Sequence, residues 1–384
     1  MKVLMLAEFP YQDNDLYRGG VLQANYRLIT ALARCPEIEL QVLASTRAVA
    51  SGETRKLGQA SVLFWPIPWH DTLLLFRGLR RALHQVVTDF RPDIVHAQGF
   101  PPYIFAGLNT GVPCIITVHG VLRNEYPLVK AKASLKRRLK AFAISQLEAY
   151  NFARIRNLIA ITAEIERLVR ASSPHVRVFR IDNAIDDRFF ILGEKNSKPV
   201  VLFVGWVVFR KGLHLLLQAV DLLVRGNQEI EVRIAGLEEW DPPYASSLRR
   251  KHADLMQSGR VSFLGGISQE QLYEELSRCA LLCLPSLAES APMVIAQAMA
   301  AGKPVVASRI GGIPDMVEDG STGVLFDPGN VSDLAECLKE LLSDRPRRLS
   351  MGKGARELAR ARYSPDLVAK KTIEAYHEVV SARE

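Results

Sequence analysis

Glu289-Ser-Ala-Pro-Met-Val-Ile-Ala-Gln297-Ala-Met-Ala-Ala-Gly302-Lys-Pro-Val-Val-Ala-Ser308 reads as a short loop, a helix, a glycine stop and a buried strand. Pro292 suits a first helical turn, and the Ala-Met-Ala-Ala run favours helix. Gly302 can take the left-handed residue at a helix end, and Lys303-Pro304 blocks continuation. Val305-Val306-Ala307 is a short apolar strand. A lone carboxylate, Glu289, therefore stands just before a helix N-terminus, whose unpaired N–H groups and positive dipole suit a phosphate. Gln297 follows about two helical turns later and is expected to look into the same cleft. The plain structural alternative is a capping Glu and an exposed Gln on an ordinary helix.

The rest of the chain agrees with a soluble globular protein. Its 384 residues are enough for two or three domains, each with a full core. The apolar fraction of 48% is ordinary, and no apolar run approaches the ~18 residues of a membrane span. The N-terminus reads as a first strand and not a signal peptide. Five scattered cysteines, without a C-x-x-C, suggest free thiols in a reducing cytosol. Charge is uneven: residues 1–190 carry a net +9 and residues 191–384 a net −1, together the +8 of the chain. Different partners are expected for the two halves.

Strand and helix patterns alternate throughout, which predicts parallel sheets with crossover helices. Strands are expected at Val3–Ala7, Glu39–Ala44, Ile94–Ala97, Cys114–Val118, Leu158–Ile161 and Val176–Arg180. The helices among them are placed at Val21–Arg34, Leu74–Thr88 and about Val129–Ala153. The pattern lapses around Asp186–Pro199, a candidate linker. A second series then begins at Val200–Val204 and continues through Val232–Ala235, Val261–Leu264, Leu281–Pro285, Val305–Ala307 and Gly323–Phe326. Its helices are expected at Leu213–Val224, Gln269–Arg278, Pro292–Ala301, Val331–Ser343 and roughly Pro365–Ser381. Two Rossmann-like domains facing across a cleft are expected, at 1–187 and 188–364, with the helix of 365–384 packing back on the first. Ligands of such sheets bind beyond the carboxyl ends of the strands.

Several loops at those strand ends carry suitable chemistry. Gly205-Trp206-Val-Val-Phe-Arg210-Lys211-Gly212 is a strand-to-helix loop with two adjacent cations, suited to pyrophosphate or simply solvated. Arg18-Gly19-Gly20 precedes the first helix, where a glycine pair admits close backbone approach or just a turn. No G-x-G-x-x-G follows the first strand, which argues against a nicotinamide-dependent dehydrogenase. His119 ends the strand Ile115-Ile-Thr-Val, and His96 ends Asp-Ile-Val; the second is read as a wall or structural residue. Lys130 to Lys140 holds six cations and no acid, so it could rest on an anionic bilayer or be a solvated helix face. Nucleic acid is not expected, because no aromatic residues interleave those cations.

Taken together, these loops resemble family 4 retaining glycosyltransferases. Glu289 and Gln297 stand where that family has E-x7-E, with Gln for the second Glu. Lys211 and Gly212 match its G-R-x-x-x-x-K-G, with Trp206 for the Arg and Arg210 as a candidate substitute. Asp182-Asn-Ala-Ile-Asp186 is similar to N-G-I-D, and Gly311-Gly-Ile-Pro-Asp315 to G-G-x-P-E. The resemblance implies a GT-B fold and transfer of a hexose from a nucleoside diphosphate sugar to a glycan or lipid-linked acceptor, with retention of configuration. It implies that Arg210, Lys211 and the Gly19-Gly20 amides meet the diphosphate, Glu289 orients sugar hydroxyls, His119 contacts the sugar and Gln297 the ribose. Gly205, Ile267, Ser290, Met293 and Val294 would complete the donor site, with Leu264-Gly-Gly-Ile267 touching the base through backbone. No metal or cofactor is expected. Location is expected in the cytoplasm, with or without peripheral contact with the inner membrane face. A non-catalytic sugar-nucleotide-binding or scaffold protein of the same fold is the alternative.

Overall fold

The computed structural model describes residues 1–12, 19–46, 48–66, 77–99, 101–121, 135–193 and 199–382, with backbone alone for 135–141. The chain divides into two compact units, Met1–Ala184 with Pro365–Glu384, and Ile185–Ser364.

The first unit is built on eight strands: β1 Lys2–Leu6, β2 Glu39–Thr46, β3 Glu53–Leu57, β4 Ala60–Pro66, β5 Ile94–Gln98, β6 Cys114–Val118, β7 Asn157–Ala160 and β8 Arg177–Arg180. Their order in the sheet is β3-β4-β2-β1-β5-β6-β7-β8. β1 lies between β2 and β5, with Val3 opposite both Leu40 and Ile94. Val3, Leu4, Met5 and Leu6 are fully buried, as a parallel strand covered on both faces requires. The helix Pro365–Ser381 adds Val368, Ile373 and Tyr376 to this same core.

β3 runs antiparallel to β4 at the sheet edge, a departure from the all-parallel expectation. Its sequence, Glu-Thr-Arg-Lys-Leu, is mostly polar, and polar residues are what keep an edge strand from pairing further. Short helices at Pro101–Gly107 and Ala163–Ser172 also escape the sequence reading.

The second unit has six strands: β9 Val200–Val204, β10 Glu231–Ala235, β11 Val261–Gly265, β12 Leu281–Leu284, β13 Val305–Ser308 and β14 Gly323–Phe326. All are parallel, in the order β11-β10-β9-β12-β13-β14. Counted within the unit this is 3-2-1-4-5-6, the doubly wound order. The order reverses between β9 and β12, so the crevice for a ligand opens beyond the carboxyl ends of those two strands. The helices Leu213–Arg225 and Val331–Ser343 pack together, burying Leu216, Val220, Leu334 and Leu338.

Two parts of this unit differ from the sequence expectation. The start of the candidate linker, Asp187–Ile191, is a 3-10 turn that buries Phe189 against Tyr273 at a ring distance of 4.7 Å. The helix Arg345–Tyr363 has a polar composition that hides its packing stripe of Met351, Gly352, Ala355 and Ala359. At Gly352 a Cβ would stand 2.1 Å from the Gly302 carbonyl, so the small residue is what lets backbones meet.

Candidate functional site

The switch point of the second unit is where Glu289 and Lys211 come together. The loop after β9 carries Gly205 to Gly212, and the loop after β12 carries Pro285 to Pro292. Lys211 donates from Nζ to Oε1 of Glu289, and the Ser286 hydroxyl donates to the same oxygen at 2.8 Å. The Arg210 guanidinium lies 4.0 Å from Oε2 of Glu289 and donates to the Ala288 carbonyl at 3.5 Å. A backbone bond of 2.7 Å, from Leu287 N–H to the Arg210 carbonyl, ties the two loops. The lysine and the carboxylate are 12% and 7% exposed, and such a pair interacts far more strongly than one on the surface.

Gly212 makes this approach possible. Its φ is +68°, and a Cβ would fall 1.8 Å from the Pro285 carbonyl oxygen. The glycine leads into the helix Leu213–Arg225 and presses the two loops together. At Gly205, just after β9, a Cβ would stand 3.7 Å from the aliphatic stem of Lys211.

The helix Met293–Ala300 follows directly. Pro292 occupies its N-cap with φ −67°, one residue earlier than a first-turn position, and no side chain caps the terminus. Its first-turn N–H groups, left without a side-chain acceptor, form an anion-seeking end beside Glu289 and Ser290. Every residue of the helix is buried, including Met293, Val294 and Gln297. Gln297 is thus an interior amide and not an exposed one. Gly302 ends the segment in the left-handed conformation, φ +71°. Ile267 is half-buried, just before Ser268, which caps the helix Gln269–Arg278 through a capping box with Gln271.

Trp206, where the resemblance expects an arginine, stands edge to face with Trp240 at 5.1 Å between ring centres. Trp240 is 71% exposed, so the pair presents aromatic surface where a guanidinium was expected. Sequence reading passed over Trp240 and Ser286; Ser286 meets Glu289 side chain to side chain, well before the N-cap Pro292, so its S-x-x-E spacing is not a capping box.

In the first unit, Gly19 is the N-cap of the helix Gly20–Leu32, with extended φ and no neighbour within 4 Å of a would-be Cβ. Packing does not require glycine there. Arg18 lies outside the described residues, as do residues 130–134 and the side chains of the basic stretch as far as Lys140. His96 is structural: it is fully buried, with Nδ1 2.6 Å from the Tyr376 hydroxyl and Nε2 2.7 Å from that of Thr117. Burial, with the His119 ring nearby, pushes its pKa down to about 3. His119 follows β6, and its Nε2 lies 2.8 Å from Oε1 of Gln98. Burial brings its pKa down to about 4, opposed by the Asn183 side chain, so the ring is neutral at pH 7. Asn183 belongs to the N-G-I-D-like turn, to which the sequence assigned no site role.

The chain as a whole matches two family models: "Glycosyltransferase Family 4" over residues 18–189 and "Glycosyl transferases group 1" over residues 184–358. It is 30% identical over 310 residues to the sulfoquinovosyl transferase SQD2 of Arabidopsis thaliana, an alignment covering 76% of this chain and 58% of that protein. The chain therefore spans less than two thirds of that relative. Among solved structures, the sucrose-phosphate synthase of Thermosynechococcus elongatus superposes with a TM-score of 0.80 at 18% identity, covering 99% of each chain. HepE of Anabaena, in complex with UDP and glucose, superposes with a TM-score of 0.70 at 20% identity, over 97% of this chain and 98% of that one. These likenesses establish the fold.

Proposed function

The chain belongs to the family 4 glycosyltransferases, with the GT-B fold, and from that premise we propose that it moves a hexose from a nucleoside diphosphate sugar to a glycan or lipid-linked acceptor with retention of configuration. The observation that carries this reading is the Lys211–Glu289 pair, seated at the switch point of a 3-2-1-4-5-6 sheet beside an uncapped helix start.

In the proposed reaction the anomeric C–O bond to the diphosphate breaks and its electron pair leaves with the phosphate. Arg210, Lys211 and the first N–H groups of Met293–Ala300 stabilise the growing charge, and the Gly19-Gly20 amides are assigned to the same diphosphate. The acceptor hydroxyl attacks the same face, and its proton passes to the departing phosphate oxygen. No protein nucleophile is invoked, because a double-displacement route would need a second carboxylate close to the anomeric carbon. Glu289 orients the sugar hydroxyls, His119 borders the sugar and Gln297 takes the ribose. Gly205, Ser290, Met293, Val294 and Ile267 line the donor's place. Charge neutralisation by the two cations and the helix start makes this a metal-independent scheme. A cytoplasmic place, with the basic stretch 130–140 touching an anionic bilayer, fits a lipid-linked acceptor, and sedimentation with anionic liposomes tests that part. None of the described helices is long and apolar enough to cross a membrane.

Thermal-shift screening with uridine and guanosine diphosphate sugars, followed by donor hydrolysis assays, tests the reading. One sugar nucleotide should raise Tm and be hydrolysed, with Glu289→Ala silent. No stabilisation by any nucleoside diphosphate would overturn it, and binding without turnover would favour a non-catalytic sugar-nucleotide binder.

A further inference from the structure

Two strand tips in the first unit are linked by one amide. Gln98 closes β5 and is 1% exposed; His119 follows β6, the next strand over. Gln98 accepts on Oε1, 2.8 Å from His119 Nε2, while its amide nitrogen lies 3.2 Å from His96 Nε2. That same His96 nitrogen is 2.7 Å from the Thr117 hydroxyl, and the opposite ring nitrogen reaches Tyr376.

We propose that Gln98 is the positioning residue of His119: its carbonyl holds the imidazole in the Nε2–H tautomer and leaves Nδ1 a pure acceptor. A side-chain carbonyl oxygen can only accept, so His119 Nε2 must donate to it. The amide nitrogen can only donate, so His96 Nε2 must accept, and His96 Nδ1–H then donates to the Tyr376 hydroxyl. Every polar atom along the line from His119 to Tyr376 is thereby assigned one role. Space for the ring comes from Gly99, with φ +56°, where a Cβ would meet the His119 ring at 2.7 Å.

The far side of the ring supports the same tautomer. Nδ1 of His119 and Oδ1 of Asn25 are both buried and without a hydrogen-bond partner among the described residues. A buried N–H left unpaired is rarer than an under-used acceptor, so Nδ1 is the nitrogen that carries no proton. His119 and Asn25 line one cavity of about 20 Å³, room for one water or one ligand hydroxyl. Asn183 lines the same cavity, so the donor that Nδ1 calls for is its amide or a bound hydroxyl.

This inference rests on the reading that His119 borders the transferred sugar, and its test separates the two. Ring nitrogens of the 15N-labelled protein are observed by NMR, with His119→Gln to assign the signals. Wild type should show His119 protonated at Nε2 alone. Gln98→Met, similar in volume but without the carbonyl, should mix the two tautomers, and Gln98→Glu should restore the single one. If a sugar nucleotide is turned over, Gln98→Met should lower kcat about 10-fold while binding of UDP and GDP stays unchanged. An unchanged His119 tautomer in folded Gln98→Met, or protonation at Nδ1 in wild type, would overturn the proposal. Absence of any turnover by wild type would count against the transferase reading alone, since the tautomer is read without substrate.

Discussion

Glu289 accepts on one oxygen from both Lys211 and Ser286, so the carboxylate is fixed by a cation from the neighbouring loop before any ligand arrives. The lysine that would meet a phosphate is, in the same arrangement, committed to a protein carboxylate. Substitutions on the two sides of the pair should therefore act in opposite directions on phosphate binding.

Lys211→Met leaves buried Glu289 with the Ser286 hydroxyl and the Arg210 guanidinium at 4.0 Å but without its close ammonium partner. Breaking such a pair should cost about 3 kcal/mol of stability in urea unfolding. UDP or GDP binding, measured by calorimetry, should weaken as well. Glu289→Gln frees the ammonium, so nucleoside diphosphate affinity should hold or rise while sugar transfer falls at least ~100-fold, about 2.7 kcal/mol of barrier.

The two glycine sites should separate packing from ligand approach. Gly212→Ala drives a methyl into the Pro285 carbonyl and imposes positive φ on a substituted residue. A loss of more than about 1 kcal/mol is expected, from backbone strain alone. Gly19→Ala meets open space and extended φ, so Tm should be unchanged within error. A fall in donor turnover in that second variant would then report crowding of the ligand.

Gln297→Glu places a carboxyl in a helix whose every residue is buried. Desolvation should raise that carboxyl's pKa and destabilise the unliganded protein by about 1–3 kcal/mol. A ribose whose hydroxyls donate to the carboxylate would return part of this on binding, so the Tm gain with donor should exceed that of wild type. Equal gains in both proteins would remove Gln297 from the ribose contact.

His96 is neutral in the folded state down to a pH of about 3, whereas an unfolded histidine takes up a proton near pH 6.5. The unfolded state thus binds more protons below that value, and stability is lost as pH falls from 6.5. His96→Gln should reduce the slope of unfolding free energy against pH by up to ~1.4 kcal/mol per pH unit between 6.5 and 4. An unaltered slope would show that this imidazole is protonated in the native protein.

The alternation of apolar strands and amphipathic helices made both sheets legible, because parallel strands buried on two faces leave continuous apolar runs such as Val200–Val204. Arg345–Tyr363 was not legible, since its contact surface is made of Gly and Ala, whose pattern carries little hydrophobic contrast. Phe189 and Phe190 hid in a stretch whose polar neighbours suggested a linker. In the site, Lys211 and Glu289 could be marked as a cation and an anion at strand ends, but 78 residues separate them, and only the sheet order brings the two loops side by side. Gln98 had no signal of its own, because a buried amide is recognised by what it touches.

The path of the chain also orders its own assembly. Ile185 N–H donates to the Tyr363 carbonyl at 3.1 Å, so the second unit begins and ends at one point, as a single continuous stretch of chain. The first unit starts earlier but keeps Tyr376, the partner of His96, on a helix made after the whole of the second. During synthesis the unit that begins first is thus the one that finishes last. Until residues 365–382 emerge, its sheet stands with one helix missing and His96 without its phenol.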